Sequence, residues 1–519
     1  MSKLSRRQLL VAGSGTLAMP FISRAAFAGG SSIITSAQAR FLPVPALLQP
    51  ENGDTVTLAM AMARHNFGPG DKTALSAGLN AEYLAPTVHL TKGTDINFKV
   101  QNRLGDVTTL HWHGLFVPSV KDGGPHNTIK DGEDWNIKVH IDQPSSTNWF
   151  HPHVHQNTAY QAHLGLAGLM IVDDGKDRER GLPRTYGVDD IPLVLQDRRV
   201  VEGDNVYAPD GMDLIHGFHG DKLIVNGVME PQHEVPAGIM RLRLLNGANA
   251  RIFNLSFEDR RPFHVIASDG GYLEKPVETG ILPIGPGERY EVLVDFSKGK
   301  TPVTLFTSSD DNGGGEALPL MLFTSHGRKS EITTIPATFD TLSPANSGMA
   351  EETRSFFMDD RMMENMQVLM KGMGGGSHGM THGGGHDGMV HSGRSTEQAG
   401  PPMTAASSGM AMAIAGETFD MNRIDVKARL GSYEMWSLTT SGEMQHPFHI
   451  HGASFRVLSL DGKAPPAWAT GWKDTVLVNE TADLLVHFNR QADEKHPFMF
   501  HCHTLEHEDL GMMGQFITV

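Results

Sequence analysis

Near the end of the 519-residue chain, the run HCHTLEHEDLGM (501–512) holds its only cysteine. Val and Phe upstream of it, in VHFNR and HPFMF, predict strand, and along a strand successive side chains point to opposite faces. Cys502 therefore faces one way, and His501 and His503 face the other. His507 and Met512 follow five and ten residues after the cysteine, close enough for a loop to fold them back beside the sulfur. One thiolate, two imidazoles and a distant thioether make up the ligand set of a blue-copper electron-transfer site. The sequence around Cys502 supplies only one of those two imidazoles.

The other comes from HPFHIHG (446–452). His449 and His451 are two apart and share a strand face, which leaves His446 for the cysteine site. The same two-apart spacing recurs at His111 and His113 in HWHG, and at His151 and His153 in HPHVH. With His501 and His503 these make four pairs and eight imidazoles. One such pair means little, because exposed strands carry them by chance. Four pairs together with the Cys, His and Met pattern describe a metal protein.

These four segments resemble the copper-binding signatures of the multicopper oxidases, of the three-domain bacterial type. The resemblance implies four copper ions. A type 1 copper would take His446, Cys502, His507 and Met512, and a type 2 copper His111 and His449. A type 3 pair would take His113, His151, His153, His451, His501 and His503. His155 continues the alternation of the second signature but has no ligand role in the family. Asp122, in VKDGGP, and Glu508, beside His507, match the family's proton-delivery positions. Axial Met512 would hold the type 1 potential in a moderate range.

The fold expected is all-β. A strand pattern returns three times: at Thr87 to Leu104 across Gly93, at Glu234 to Asn246 across Gly238, and at Val426 to Thr440 across Gly431. Period-two alternation broken by Gly and Pro predicts antiparallel sandwiches, and the family makes each a cupredoxin-like Greek-key β-sandwich. Polar or Pro-rich breaks at Asp173 to Pro192 and Thr333 to Ser347 place the domains at 41–175, 190–335 and 348–519. The middle domain carries His216, His219, His233 and His264 at no signature spacing, and reads as a structural spacer. All ligand runs fall in the first and last domains, so those domains must meet at the cluster.

SRRQLL, an apolar stretch from Leu9 to Phe21 and an Ala26-Phe27-Ala28 site read as a twin-arginine signal over residues 1–28. Export by the twin-arginine (Tat) translocase to the periplasm is expected. No later segment is long and apolar enough for stable membrane insertion. With 43 basic against 59 acidic residues, nucleic acid is an unsuitable partner. A monomer is expected.

Residues 358–412 hold 11 of the 27 methionines. MDDRMMENMQVLMK spaces Met358, Met362, Met366 and Met370 four apart, with Asp359 and Asp360 suited to a first helical turn. A methionine stripe at that spacing is often simple packing. GMGGGSHGMTHGGGHDGM, with His378, His382, His386 and nearby His391, has too little bulk to form a core. Thioethers are soft ligands that prefer Cu(I), and the segment resembles the Met-rich insert of periplasmic copper efflux oxidases. That resemblance makes Met358, Asp360, Glu443 and Met444 candidates for a labile substrate-copper site. The expected activity is oxidation of Cu(I), and of phenols, coupled to reduction of dioxygen to water in copper tolerance. The alternatives are a laccase-like phenol oxidase and a copper-binding protein without turnover.

Overall fold

The computed structural model describes residues 39–68, 72–201, 204–299, 301–373, 405–414 and 416–519. The expected signal at 1–28 and the insert histidines His378, His382, His386 and His391 lie outside the described residues. No helix among the described residues is long and apolar enough to cross a membrane.

Strands dominate, and they pair into three successive double sheets. The first has two four-stranded sheets, the second a seven- and a five-stranded sheet, and the third two five-stranded sheets. Each encloses its own apolar cluster: Leu58, Val88, Phe98 and Val172 in the first, Leu242, Phe253, Val292 and Phe323 in the second, Trp436, Phe448, Phe500 and Phe516 in the third. Cupredoxin-like sandwiches of this kind stack side chains from two inner faces into one core.

The strand pattern that recurs along the chain is the corner at which the backbone changes sheet. Thr87–Thr91 lies in one sheet of the first domain and Asp95–Arg103 in the other, with Gly93 between them at φ 86°. Val426–Ala428 and Tyr433–Thr440 do the same around Gly431, at φ 84°. In the middle domain Gln232–Ala237 and Ile239–Asn246 part at Gly238, where a Cβ would stand 2.3 Å from that of Ser330.

The sheets are mixed, not purely antiparallel as the alternation had predicted. Thr55–His65 runs parallel to Asp95–Arg103, Asp190–Arg198 to Ile239–Asn246, and Glu352–Asp359 to Tyr433–Thr440. In the first domain the chain crosses to the opposite sheet before it returns beside its opening strand, so the two point the same way. Alternation reports which face is buried and is silent on strand direction.

The methionine stripe is split between two elements. Met358 and Asp359 end the strand Glu352–Asp359, and the helix is Met362–Met373. Arg361 turns the chain at φ 47°, and the Asp360 Oδ1 accepts from the Met362 N–H at 3.1 Å. Met362 and Met366 pack on the third core, whereas Met363 and Met370 are 73% and 59% exposed. The far end of the expected insert is also core, because Met410 and Met412 are buried in the same cluster as Met358 and Met512.

Candidate metal centre

Strand alternation separates the donors at Cys502 as the sequence predicts. On the strand Phe498–Cys502, Cys502 turns into the third core opposite Phe448 of His446–Ile450. The Nδ1 atoms of His446 and His507 each lie 3.6 Å from its Sγ, and Met512 is buried in the same cluster. The Nε2 of His507 donates to the Ile215 carbonyl of the middle domain at 3.0 Å, which leaves Nδ1 as a lone pair facing the sulfur. Burial pushes the Cys502 thiol up to about 12, and lowers His446 to about 4 and His507 to about 3. The imidazoles are thus neutral donors, and the thiol yields its proton to a bound cation.

The second group lies on the other face of that strand. The Nε2 of His501 is 3.2 Å from that of His153 and 3.3 Å from that of His451. His113 Nδ1 and His151 Nε2 are 3.4 Å apart, and the His503 ring centre is 5.2 and 5.3 Å from theirs. His111 and His449 each bond a backbone carbonyl through Nδ1, of Asp122 at 3.1 Å and of Asp474 at 2.9 Å. Their Nε2 atoms, and both ring nitrogens of His503, are buried without a hydrogen-bond partner. The donors of the first and third domains thus converge on one interior site, with His111, His113, His151 and His153 on one side and the other four on the opposite side.

The tautomers decide what the site can hold. His501 Nδ1 bonds the Cys502 carbonyl at 2.9 Å and His451 Nδ1 bonds Asp122 Oδ2 at 2.7 Å, so both Nε2 atoms carry lone pairs. Likewise His151 Nδ1 bonds the Pro152 carbonyl at 2.9 Å and His113 Nε2 bonds Asp474 Oδ1 at 3.1 Å, which turns a lone pair of each ring toward the other. Facing lone pairs at such distances repel unless a cation sits between them. Burial lowers the pKa of His113, His151, His153, His449, His451 and His503, so protons do not fill that role. A donor set of imidazoles, one thiolate and one thioether suits copper.

Two acids flank the cluster. Asp122 Oδ2 reaches His451, and also His111 at 3.2 Å. Glu508 places one oxygen 3.3 Å from His153 Nδ1 and the other 3.3 Å from His501 Nδ1. Burial, together with Asp509 and Glu506, holds Glu508 well above the carboxylate range. His155 stands apart, its ring edge-on to Phe419 at 5.3 Å.

The substrate-copper candidates are placed less uniformly. Met358 is fully buried in the third core. Asp360 is buried and accepts from Ser441 Oγ at 2.9 Å, while Glu443 is exposed and Met444 half-buried on the segment leading to His446.

Sequence reading missed Asp474, Thr475 and Arg289. Asp474 reaches His113 through its carboxylate and His449 through its carbonyl, and its two oxygens take Arg289 Nη1 at 2.6 Å and Nη2 at 2.7 Å. Thr475 Oγ1 lies 3.1 Å from His113 Nε2. Arg289 belongs to the middle domain, which is therefore more than the spacer expected. A contact across 185 residues leaves no local pattern to find.

The chain belongs to the multicopper oxidase family. Profiles described as multicopper oxidase match residues 61–177, 214–311 and 395–519. Cell division protein FtsP of Yersinia pestis is 35% identical over 99% of this chain and 98% of its own length, and FtsP of Escherichia coli is 34% identical over the same shares. Among solved structures, the laccase-like multicopper oxidase CueO of the lignin-degrading Ochrobactrum sp. is 54% identical, with a TM-score of 0.84 over 92% of this chain and all of that one. A multicopper oxidase from Campylobacter jejuni, a metallo-oxidase, is 27% identical, with a TM-score of 0.76 over 93% of this chain and 95% of its own.

Proposed function

We propose that this protein is a periplasmic oxidase that removes single electrons from Cu(I), and from small phenols, and delivers four of them with four protons to dioxygen, forming two waters. The observation that carries the reading is the placement of Cys502. Its sulfur faces one donor group while its chain neighbours His501 and His503 belong to the other, and its own carbonyl accepts from His501. Copper at these donors supplies one-electron redox chemistry at both ends of that short covalent route. His446, Cys502, His507 and Met512 would hold the electron-accepting ion. The eight paired histidines would hold the other three.

The chain's own groups manage access and protons. His446 and His507 lie buried under the third core, so an electron enters without the reductant touching the cluster. Glu508, kept neutral by its surroundings, stores a proton within reach of His153 and His501. Asp122 bonds His451 and His111 from the opposite side. Cu(I) as a reductant is supported by the thioethers Met363 and Met370, exposed on a helix packed against the third core.

The test is the copper-loaded full chain assayed for blue absorption, dioxygen uptake, and steady-state oxidation of Cu(I) and a phenol side by side. A chain shortened by residues 374–404 and carrying Met363→Leu and Met370→Leu removes the exposed thioethers and spares Met410 and Met412, which the core needs. Loss of Cu(I) oxidation with phenol turnover kept or raised supports the cuprous role, and unchanged Cu(I) turnover defeats it. A second reading is favoured by the FtsP relatives, whose name assigns them to cell division: a periplasmic binding protein that uses this fold without turnover. Absence of dioxygen uptake by fully copper-loaded protein would decide for it.

A further inference from the structure

The two halves of the dinuclear group are held by different parts of the molecule. Carboxylates of the first and third domains stand behind His153, His451 and His501: a Glu508 oxygen lies 3.3 Å from Nδ1 of His153 and of His501, and Asp122 bonds His451 Nδ1. Of His113, His151 and His503, only His113 meets a carboxylate, Asp474 of the third domain at 3.1 Å. Their backing is Trp149, stacked on His151 at 4.2 Å, and a loop of the middle domain.

That loop reaches the third domain through Gly287, Glu288 and Arg289. At Gly287, φ is 82° and an added Cβ would stand 2.8 Å from the His503 ring, so the backbone lies directly on that imidazole. Arg289, fully buried, closes a two-pronged pair on Asp474, whose Oδ1 in turn bonds His113 Nε2. Arg289 is itself fixed, because its Nε donates to the Thr147 carbonyl at 3.1 Å and its backbone N–H to Asp269 Oδ1 at 2.8 Å. The same Asp269 accepts from the N–H groups of Asp474 and Thr475 through Oδ2 at 3.3 Å, and pairs with Lys473 at 2.9 Å. Glu288 takes the other side of Lys473 at 3.2 Å. Three consecutive residues of the third domain, Lys473 to Thr475, are thus gripped by Asp269, Glu288 and Arg289 of the second.

We infer that the middle domain, which contributes no ligand, sets how tightly one half of the dinuclear pair is held, with Arg289 and Asp474 as positioning residues for His113. A ligand histidine that donates its second N–H to a fixed carboxylate is locked in tautomer and orientation, and disturbing such a partner weakens metal binding about 10–100-fold. Here the carboxylate is fixed by an arginine from another domain, so the affinity of the His113, His151 and His503 position depends on the seam between the second and third domains. This inference rests on the copper-oxidase reading and deepens it.

The experiment follows copper release from the loaded full-length protein to a chelator, reading bound copper per chain and blue absorption in the same sample. In Asp474→Asn and in Arg289→Met, non-blue copper is expected to leave about 10–100-fold faster than in the unsubstituted protein, while the blue absorption of Cys502 persists. Arg289→Lys should recover part of the loss, since an ammonium replaces one prong of the guanidinium but not both. Release at the unsubstituted rate in Asp474→Asn overturns the inference. So does loss of blue and non-blue copper in step, which is what general loosening of the chain produces. Should Arg289→Met not fold, Asp474→Asn decides alone. Absence of blue copper in the unsubstituted protein would remove the oxidase reading itself.

Discussion

At the scale of single residues, the proposed function turns on one sulfur. Cys502 is fully buried with its thiol pushed up to about 12, so in the metal-free protein it stays protonated at neutral pH and out of reach of solvent. Metal-free protein should therefore resist alkylation at pH 8, and copper loading should release a proton that a weakly buffered indicator registers. Rapid labelling of the folded, copper-free chain would contradict the burial. In Cys502→Ser the hydroxyl is left among Phe448, Phe500 and Met512, at a cost of about 1–3 kcal/mol. The chain should fold, show no blue absorption, and lose dioxygen consumption with Cu(I) or phenol. Consumption at the unsubstituted rate would mean that electrons reach the cluster by another route.

At the scale of elements, the segment joining the first two domains is anchored by charge. Asp177 receives Arg241 and Tyr272, and Arg241 also pairs with Glu291. Burial alone would raise Asp177, but Arg241 and Arg243 outweigh it and hold the carboxyl down to about 2. A depressed carboxyl contributes stability above its unfolded pKa and loses it as pH falls through the folded value. The contribution should therefore be full above about pH 4 and fade toward pH 2. Asp177→Asn should cost about 2 kcal/mol at pH 7 and flatten the acid limb of a denaturation series over that window; an unchanged limb would show that Asp177 is not the group responsible.

The middle copy of the strand pattern shows what alternation can and cannot reveal. Met240, Leu242 and Leu244 enter the core as their spacing predicts. Arg241 and Arg243, on what reads as a solvent face, are buried in ion pairs with the linker and with Glu291. The convergence of the candidate ligand runs was legible because alternate residues of a strand share a face. Asp474 and Arg289 were not, because their role arises only when domains meet. The helix was misplaced by a turn because Arg361 bends the backbone where the methionine spacing runs on unbroken.

At the scale of the whole molecule, three short helices meet around the centre: Thr158–Leu164, Gly211–His216 and Leu505–Asp509, one from each domain. Asp509 accepts the N–H groups of Thr158 and Ala159 at 3.0 Å, Glu506 accepts from Asn249 at 2.8 Å and from the Phe218 N–H at 3.0 Å, and His507 donates to the Ile215 carbonyl. The five residues Leu505–Asp509 thus join all three domains within the stretch that spans Cys502 to Met512. Without copper, the facing lone pairs of His113 with His151 repel on the first-domain side of the cluster and those of His451 with His501 on the third-domain side, at the seam that these helices draw together. Copper binding should relieve that opposition, and a ligand at about 1,000 times its dissociation constant stabilises the fold by about 4 kcal/mol. Calorimetry of loaded and copper-stripped protein should show the transitions of the first and third domains rising together on loading. If only the third domain shifts, copper occupies the Cys502 site alone and the histidines between the domains do not form a metal centre.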